Sequence, residues 1–268
     1  MVKAFCDAHG LPRFPINVEA IAKDYSKSVF PNEPITMVQG KPFGPKFEGA
    51  LMRKPGGAEW GIFYNSAIPS AGRKNFTLAH ELGHYLLHRR RTPNDIICLK
   101  SDMWTWESDY GVMEAEANQF ASFLLMPRDD FDAQTANFGR PQIADFEALR
   151  DRYEVSITAA ILKWLELTKR RAMIVVSQDG FVDWSRSSKP LLRSGVFLKA
   201  RQTTVELPSK SQASGVNADG IHDGVVLPPG VWSEQEEVFE SVLRSEYHGQ
   251  TISLLIYPNT PPPFVSFD

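Results

Sequence analysis

The chain has 268 residues, 43% of them apolar and 23% charged, which is the balance of a folded protein and not of a disordered or fibrous one. A net charge of −3 excludes a globally basic nucleic-acid binder, although it leaves room for a local basic patch. Two cysteines, Cys6 and Cys98, are too few for a disulfide framework, no run reaches the length of a membrane span, and the N-terminus lacks an apolar signal core, so a reducing cytoplasm and no membrane association are expected.

In chain order, Leu11–Ile16 is punctuated by proline and reads as extended. Asn17 can cap a helix that places Val18, Ile21, Ala22 and Tyr25 on one face. Residues 31–46 are rich in proline and glycine and read as a loop with at most a short strand. Phe47–Arg53 and Glu59–Tyr64 flank Pro55-Gly56-Gly57, the pattern of a β-hairpin.

A helix is expected from about Ala71 to His88, and it carries His80-Glu81-Leu82-Gly83-His84. Residues four apart share a helix face, so both imidazoles can reach one Zn²⁺. Glu81, beside the first ligand, is placed to take a proton from an attacking water. His88 continues the histidine stripe and reads as a helix-end residue interacting with the last carbonyls. Arg89-Arg90-Arg91 reads as a solvated helix end, with phosphate binding as the alternative.

Residues 89–111 lack periodicity and read as a long loop that covers the site, with Trp104 and Trp106 in it. Cys98 lies in this stretch. Its thiolate could fill zinc's fourth position as a removable inhibitory ligand, or it could be a small buried apolar residue.

The next helix, Val112–Leu125, supplies the third ligand. Glu114 and Asn118 share a face with Ala117 and Ala121, small residues that allow close approach to the metal helix. Glu114 can therefore coordinate the metal, and Asn118 can hydrogen-bond a ligand imidazole. Glu116 is turned about 200° away and fits less well. Helices are also expected over Gln142–Tyr153 and Ser156–Thr168; this pair reads as packing rather than a DNA-reading unit, since the first is acidic and the second apolar.

Beyond Arg171 the texture turns to strands: Ala172–Ser177, Phe181–Trp184, Val196–Ala200, Thr203–Leu207, Ile221–Leu227, Val238–Arg244 and Thr251–Tyr257. The expected fold class is α+β. Residues 1–170 would form a helical zincin-like metallopeptidase domain with a small antiparallel sheet, and residues 171–268 a mainly β domain.

His80-Glu81-Leu82-Gly83-His84, followed by Glu114-x-Glu116-Ala117-Asn118-x-Phe120-Ala121-x-x-Leu124-Leu125-Met126-Pro127, resembles the ImmA/IrrE zinc metallopeptidases. Gly61-Ile62, Tyr64-Asn65, Arg73-Lys74 and Tyr153-Glu154-Val155-Ser156 add to the likeness, which runs over residues 14–170. Some relatives carry a sensor-like β-rich domain, similar to GAF folds, at the C-terminus.

The resemblance implies a zinc-dependent regulatory endopeptidase. Its substrate would be a partner helix-turn-helix repressor of the XRE type, here a separate chain. Cleavage would derepress stress, phage, mobile-element or defence genes. The implied effector is a nucleic acid (single-stranded DNA) or a small molecule. Tyr110, Tyr64 and Arg73 are candidates to stabilise the oxyanion. The alternative is a zinc-containing sensor without proteolysis, signalling through residues 171–268.

Overall fold

The computed structural model describes residues 2–44, 47–91, 96–99, 109–200, 202–245 and 249–261, with the side chains of 97–99 and 109–110 left aside. The chain divides into two compact units, Met1–Gln134 with Leu149–Ser156, and Thr135–Ala148 with Ile157–Asp268.

The first unit opens with helices α1 (Val2–His9) and α2 (Val18–Val29). Asn17 caps α2 by accepting from the Ala20 N–H at 3.0 Å, a contact typically worth about 1 kcal/mol. Val18, Ile21 and Ala22 form its buried face. A four-stranded sheet follows, built from β1 (Ile35–Lys41), β2 (Phe47–Arg53), β3 (Trp60–Asn65) and β4 (Ile96–Leu99) in the order β1-β3-β2-β4. The hairpin β2–β3 is as expected, and Gly56 at its turn has a φ of +70°, which glycine adopts without strain.

The sheet is mixed, not antiparallel. Residues 35–41 make a seven-residue strand where a loop with at most a short strand is expected, and it pairs in parallel with β3. The reason is topological: this segment skips the next strand and joins the one after it, with β2 laid on β3's other side. Its burial is one-sided, with Ile35 buried and most of the strand open, as an edge position allows.

Helix α3 (Ala71–Leu87) starts at Ser70, whose hydroxyl accepts from the Arg73 N–H at 3.2 Å. It packs on β2, β3, α2 and α4 (Asp109–Leu125). Its buried stripe mixes Ala79, Leu82 and Tyr85 with His80, Glu81 and His84. Arg89, expected in solvent, is buried. Its guanidinium stacks 3.9 Å from the Phe30 ring centre and donates to Glu33 and to the Tyr85 carbonyl. Arg90 and Arg91 do remain exposed. The expected covering loop falls largely on residues outside the described ones, Trp104 and Trp106 included.

Helix α5 (Arg128–Thr135) is tied to α6 (Glu147–Tyr153) by Asp130, which accepts two bonds of 2.7 Å from Arg152 and one of 2.6 Å from the Tyr153 hydroxyl. The helix expected over 142–153 begins instead as a 3₁₀ turn, Ile143–Phe146, in which the Asp145 carboxylate accepts from the Gln142 N–H.

The second unit is built on a five-stranded antiparallel sheet, ordered β6-β5-β9-β8-β7. Its strands are β5 (Ala172–Gln178), β6 (Phe181–Ser187), β7 (Gly220–Leu227), β8 (Val238–Ser245) and β9 (Gln250–Ile256). Helix α7 (Ile157–Leu167) packs on β5 and β6, with Trp164 edge-on to Phe146. Helix α7 therefore belongs with this sheet, because its apolar face finds its partners there. Short helices α8 (Lys189–Arg193) and α9 (Gln212–Gly215) complete the unit.

The strands expected at 196–200 and 203–207 do not form. Val196, Leu198, Ala200, Val205 and Leu207 pack on the cluster of Met173, Val175 and Leu255. Their alternation reflects covering a sheet face; pairing is confined to a bridge between Glu206 and Phe181 among the described residues, where the Val205 carbonyl accepts from the Val182 N–H and the Leu207 N–H donates to the Gly180 carbonyl, each at 2.8 Å. No helix among the described residues is long and apolar enough to cross a membrane.

Candidate metal centre

Helix α3 presents His80 and His84 one turn apart, and α4 brings Glu114 across to them. The Nε2 atoms of the two imidazoles are 2.9 Å apart. Glu114 reaches both, Oε2 to His80 Nε2 and Oε1 to His84 Nε2, each at 3.1 Å. All three side chains are buried, and their donor atoms lie within 4.8 Å of one another.

This arrangement fits a divalent metal. A tetrahedral Zn²⁺ with bonds of about 2.0–2.1 Å needs neighbouring ligand atoms about 3.3 Å apart. The observed separations are a few tenths of an ångström shorter. Two imidazoles and one carboxylate on rigid helices also match the donor set of a catalytic zinc, which keeps one position open.

The protonation tendencies of His84 and Glu114 suit metal ligation. Burial pushes the His84 imidazole down to about 4, helped by the neighbouring histidines and opposed by the Glu114 hydrogen bond, so the ring is neutral and able to ligate. His80 is also pulled down by burial, but the Glu114 hydrogen bond and the Glu81 and Glu114 charges outweigh that and raise it. Burial acts to raise the Glu114 carboxyl; hydrogen bonds and charge from both histidines win and hold it well below the usual carboxylate range.

Each ligand imidazole is oriented from behind. His80 Nδ1 is 3.0 Å from Asn118 Oδ1, as the shared face of Glu114 and Asn118 suggests. His84 Nδ1 is 2.9 Å from His88 Nδ1, and His88 Nε2 is 2.9 Å from Glu116 Oε2. His88 thus differs from expectation: its backbone caps α3, but its side chain is wholly buried and turned back to His84 rather than to the last carbonyls. Glu116 does not reach the ligand cluster. It meets the end of α3, where Arg91 also donates to it at 3.3 Å. The regular i+4 spacing from His84 was the available signal for His88.

Glu81 is fully buried on the same helix. The strand β2 passes so close that a Cβ on Gly49 would lie 2.7 Å from Glu81 Oε1 and 2.6 Å from Thr77 Cγ2. A Cβ on Gly83 would meet Phe120 Cδ1 at 3.1 Å and the Ala117 Cα at 3.2 Å, so glycine here allows the two ligand-bearing helices their close contact.

Of the oxyanion candidates, Arg73 is held by a two-pronged ion pair with Glu48. The Tyr64 ring lies over Gly40. The Tyr110 side chain lies outside the described residues. Cys98, the expected inhibitory ligand, falls in β4 with its backbone opposite Gly49, and its thiol is likewise outside the described side chains.

A family model described as IrrE N-terminal-like domain, Peptidase_M78, matches residues 40–165. No curated protein matches the chain. A solved structure titled Mycobacterium tuberculosis transcriptional regulator is similar in fold, with a TM-score of 0.57 and 12% identity over 96% of this chain and 75% of that one.

Proposed function

Residues 40–165 being an IrrE N-terminal-like domain of the Peptidase_M78 family, we propose that the chain is a zinc endopeptidase that cleaves a partner repressor of the XRE helix-turn-helix type. The observation that carries the peptidase reading is the convergence of His80, His84 and Glu114 beside the buried Glu81. The repressor substrate rests on the family resemblance, and the shared fold with a transcriptional regulator is in keeping with it.

Zn²⁺ held by His80, His84 and Glu114 would supply the Lewis acidity that activates water and polarises the scissile carbonyl. Glu81 takes a proton as the water oxygen bonds to the carbonyl carbon. It then delivers that proton to the amide nitrogen as the C–N bond breaks. Asn118 and His88 hold the two imidazoles in place meanwhile. Residues 171–268 are assigned the sensing role, with single-stranded nucleic acid or a small molecule as effector.

The test is co-expression with any helix-turn-helix protein found encoded beside this chain. Cleavage that disappears in Glu81→Gln, with zinc content unchanged, is expected. Zinc uptake without cleavage across DNA damage and other stress signals would favour the non-proteolytic sensor.

A further inference from the structure

We propose that His88 is the positioning residue of the metal centre: its Nδ1 accepts the Nδ1 proton of His84, Glu116 fixes its tautomer, and the His84 ring is thereby held with Nε2 on the metal. The inference rests on the metal reading above and deepens it. It follows from counting protons along a line of four atoms.

The two Nδ1 atoms are 2.9 Å apart, so one and only one of them carries a proton. His84 converges on the cluster through Nε2, which must present a lone pair to a metal. A neutral His84 therefore carries its proton on Nδ1. His88 Nδ1 must then be the acceptor, and a neutral His88 has its proton on Nε2. Glu116 Oε2 lies 2.9 Å from that nitrogen and accepts it. The opposite assignment would put a proton on His84 Nε2, where it would block ligation.

The line runs outward from a ligand with no solvent exposure, through an equally buried His88, to a Glu116 side chain 42% exposed. The two ligand imidazoles thus have different supports. His80 leans on a neutral amide, Asn118, whereas His84 leans on a histidine backed by a carboxylate and Arg91. A carboxylate behind an imidazole raises its basicity, so Glu116 strengthens His88 as the acceptor of the His84 proton.

Zinc affinity measured by chelator competition tests this on the full chain. His88→Phe, which fills the space but cannot accept, is expected to bind Zn²⁺ about 10- to 100-fold more weakly. His88→Gln, whose side-chain carbonyl can accept from His84, should recover most of that loss. Glu116→Leu should lose several-fold. The visible bands of the Co²⁺-loaded protein should shift in His88→Phe and return in His88→Gln, which a space-filling role would not produce.

Wild-type affinity and unchanged Co²⁺ bands in His88→Phe would overturn the proposal. If that variant does not fold, the ¹⁵N-histidine spectrum of the Zn²⁺-loaded wild type decides. A proton on His88 Nε2 supports the inference, and one on His88 Nδ1 overturns it. Wild-type protein that takes up no Zn²⁺ would instead remove the metal reading beneath it.

Discussion

Gly49 and Glu81 are in contact across the β2–α3 interface, closely enough that one added methyl would lie 2.7 Å from the carboxylate oxygen. Gly49→Ala should therefore push Glu81 from its place while leaving the ligands alone. We expect turnover to fall about 10²-fold, the scale of a misplacement near 1 Å. Zinc content measured alongside substrate cleavage checks this, and undiminished cleavage would show that Glu81 tolerates the shift.

Gly83 sets the spacing of the ligand helices. The atoms nearest its missing Cβ include the Ala117 backbone, which cannot rotate away. Gly83→Ala should move α4, and Glu114 with it, by a few tenths of an ångström. The expected cost is about 1–3 kcal/mol of stability, with weaker zinc binding. Urea denaturation and chelator competition on one preparation measure both.

Metal removal should destabilise the first unit. A ligand at about 1,000 times its Kd adds about 4 kcal/mol to a folded state that alone binds it. Chelation should lower the melting temperature of the wild type. Glu114→Ala should melt near the chelated wild type and respond little to chelator. Identical melting of wild type with and without chelator would argue against a bound metal.

Asp130 offers a pH test away from the centre. Its hydrogen bonds to Arg152 and Tyr153, with the charges of Arg152 and Arg13, hold its carboxyl below the usual range despite some burial. A depressed carboxylate stabilises fully above its unfolded value, near 3.9, and the contribution is lost as pH falls through the folded value. Asp130→Asn should cost on the order of 1 kcal/mol at pH 7, discounted for partial exposure. Urea midpoints of variant and wild type should draw together as pH falls below the unfolded value.

The parts of the centre that follow from spacing within one helix were legible in the sequence. His80, Glu81 and His84 share a face of α3, and Ala117 and Ala121 beside Glu114 marked the side of α4 that can come close. What depends on a neighbouring element was not. His88 looked like an end residue when α3 was taken alone, and Glu116 looked misdirected when judged only against the ligands. Each makes sense once the other helix is in place. Gly49 carries no local signal at all, since its requirement comes from a side chain on another element. Residues 35–41 hid a strand because the prolines around it suggested a loop, and its parallel partner lies further along the chain. The apolar alternation of 196–207 had the period of a strand, but it packs on a sheet face and its pairing stops at a single bridge beside β6.

The order β6-β5-β9-β8-β7 places the last of the described strands at the centre of its sheet. Until Gln250–Ile256 emerges from the ribosome, β5–β6 and β7–β8 are two separate hairpins, each with an open edge where β9 belongs. The sheet cannot close across its middle before that strand is made. A frameshift or proteolytic cut shortly before residue 250 would leave two sticky half-sheets rather than a trimmed domain, and aggregation in place of a milder loss of function.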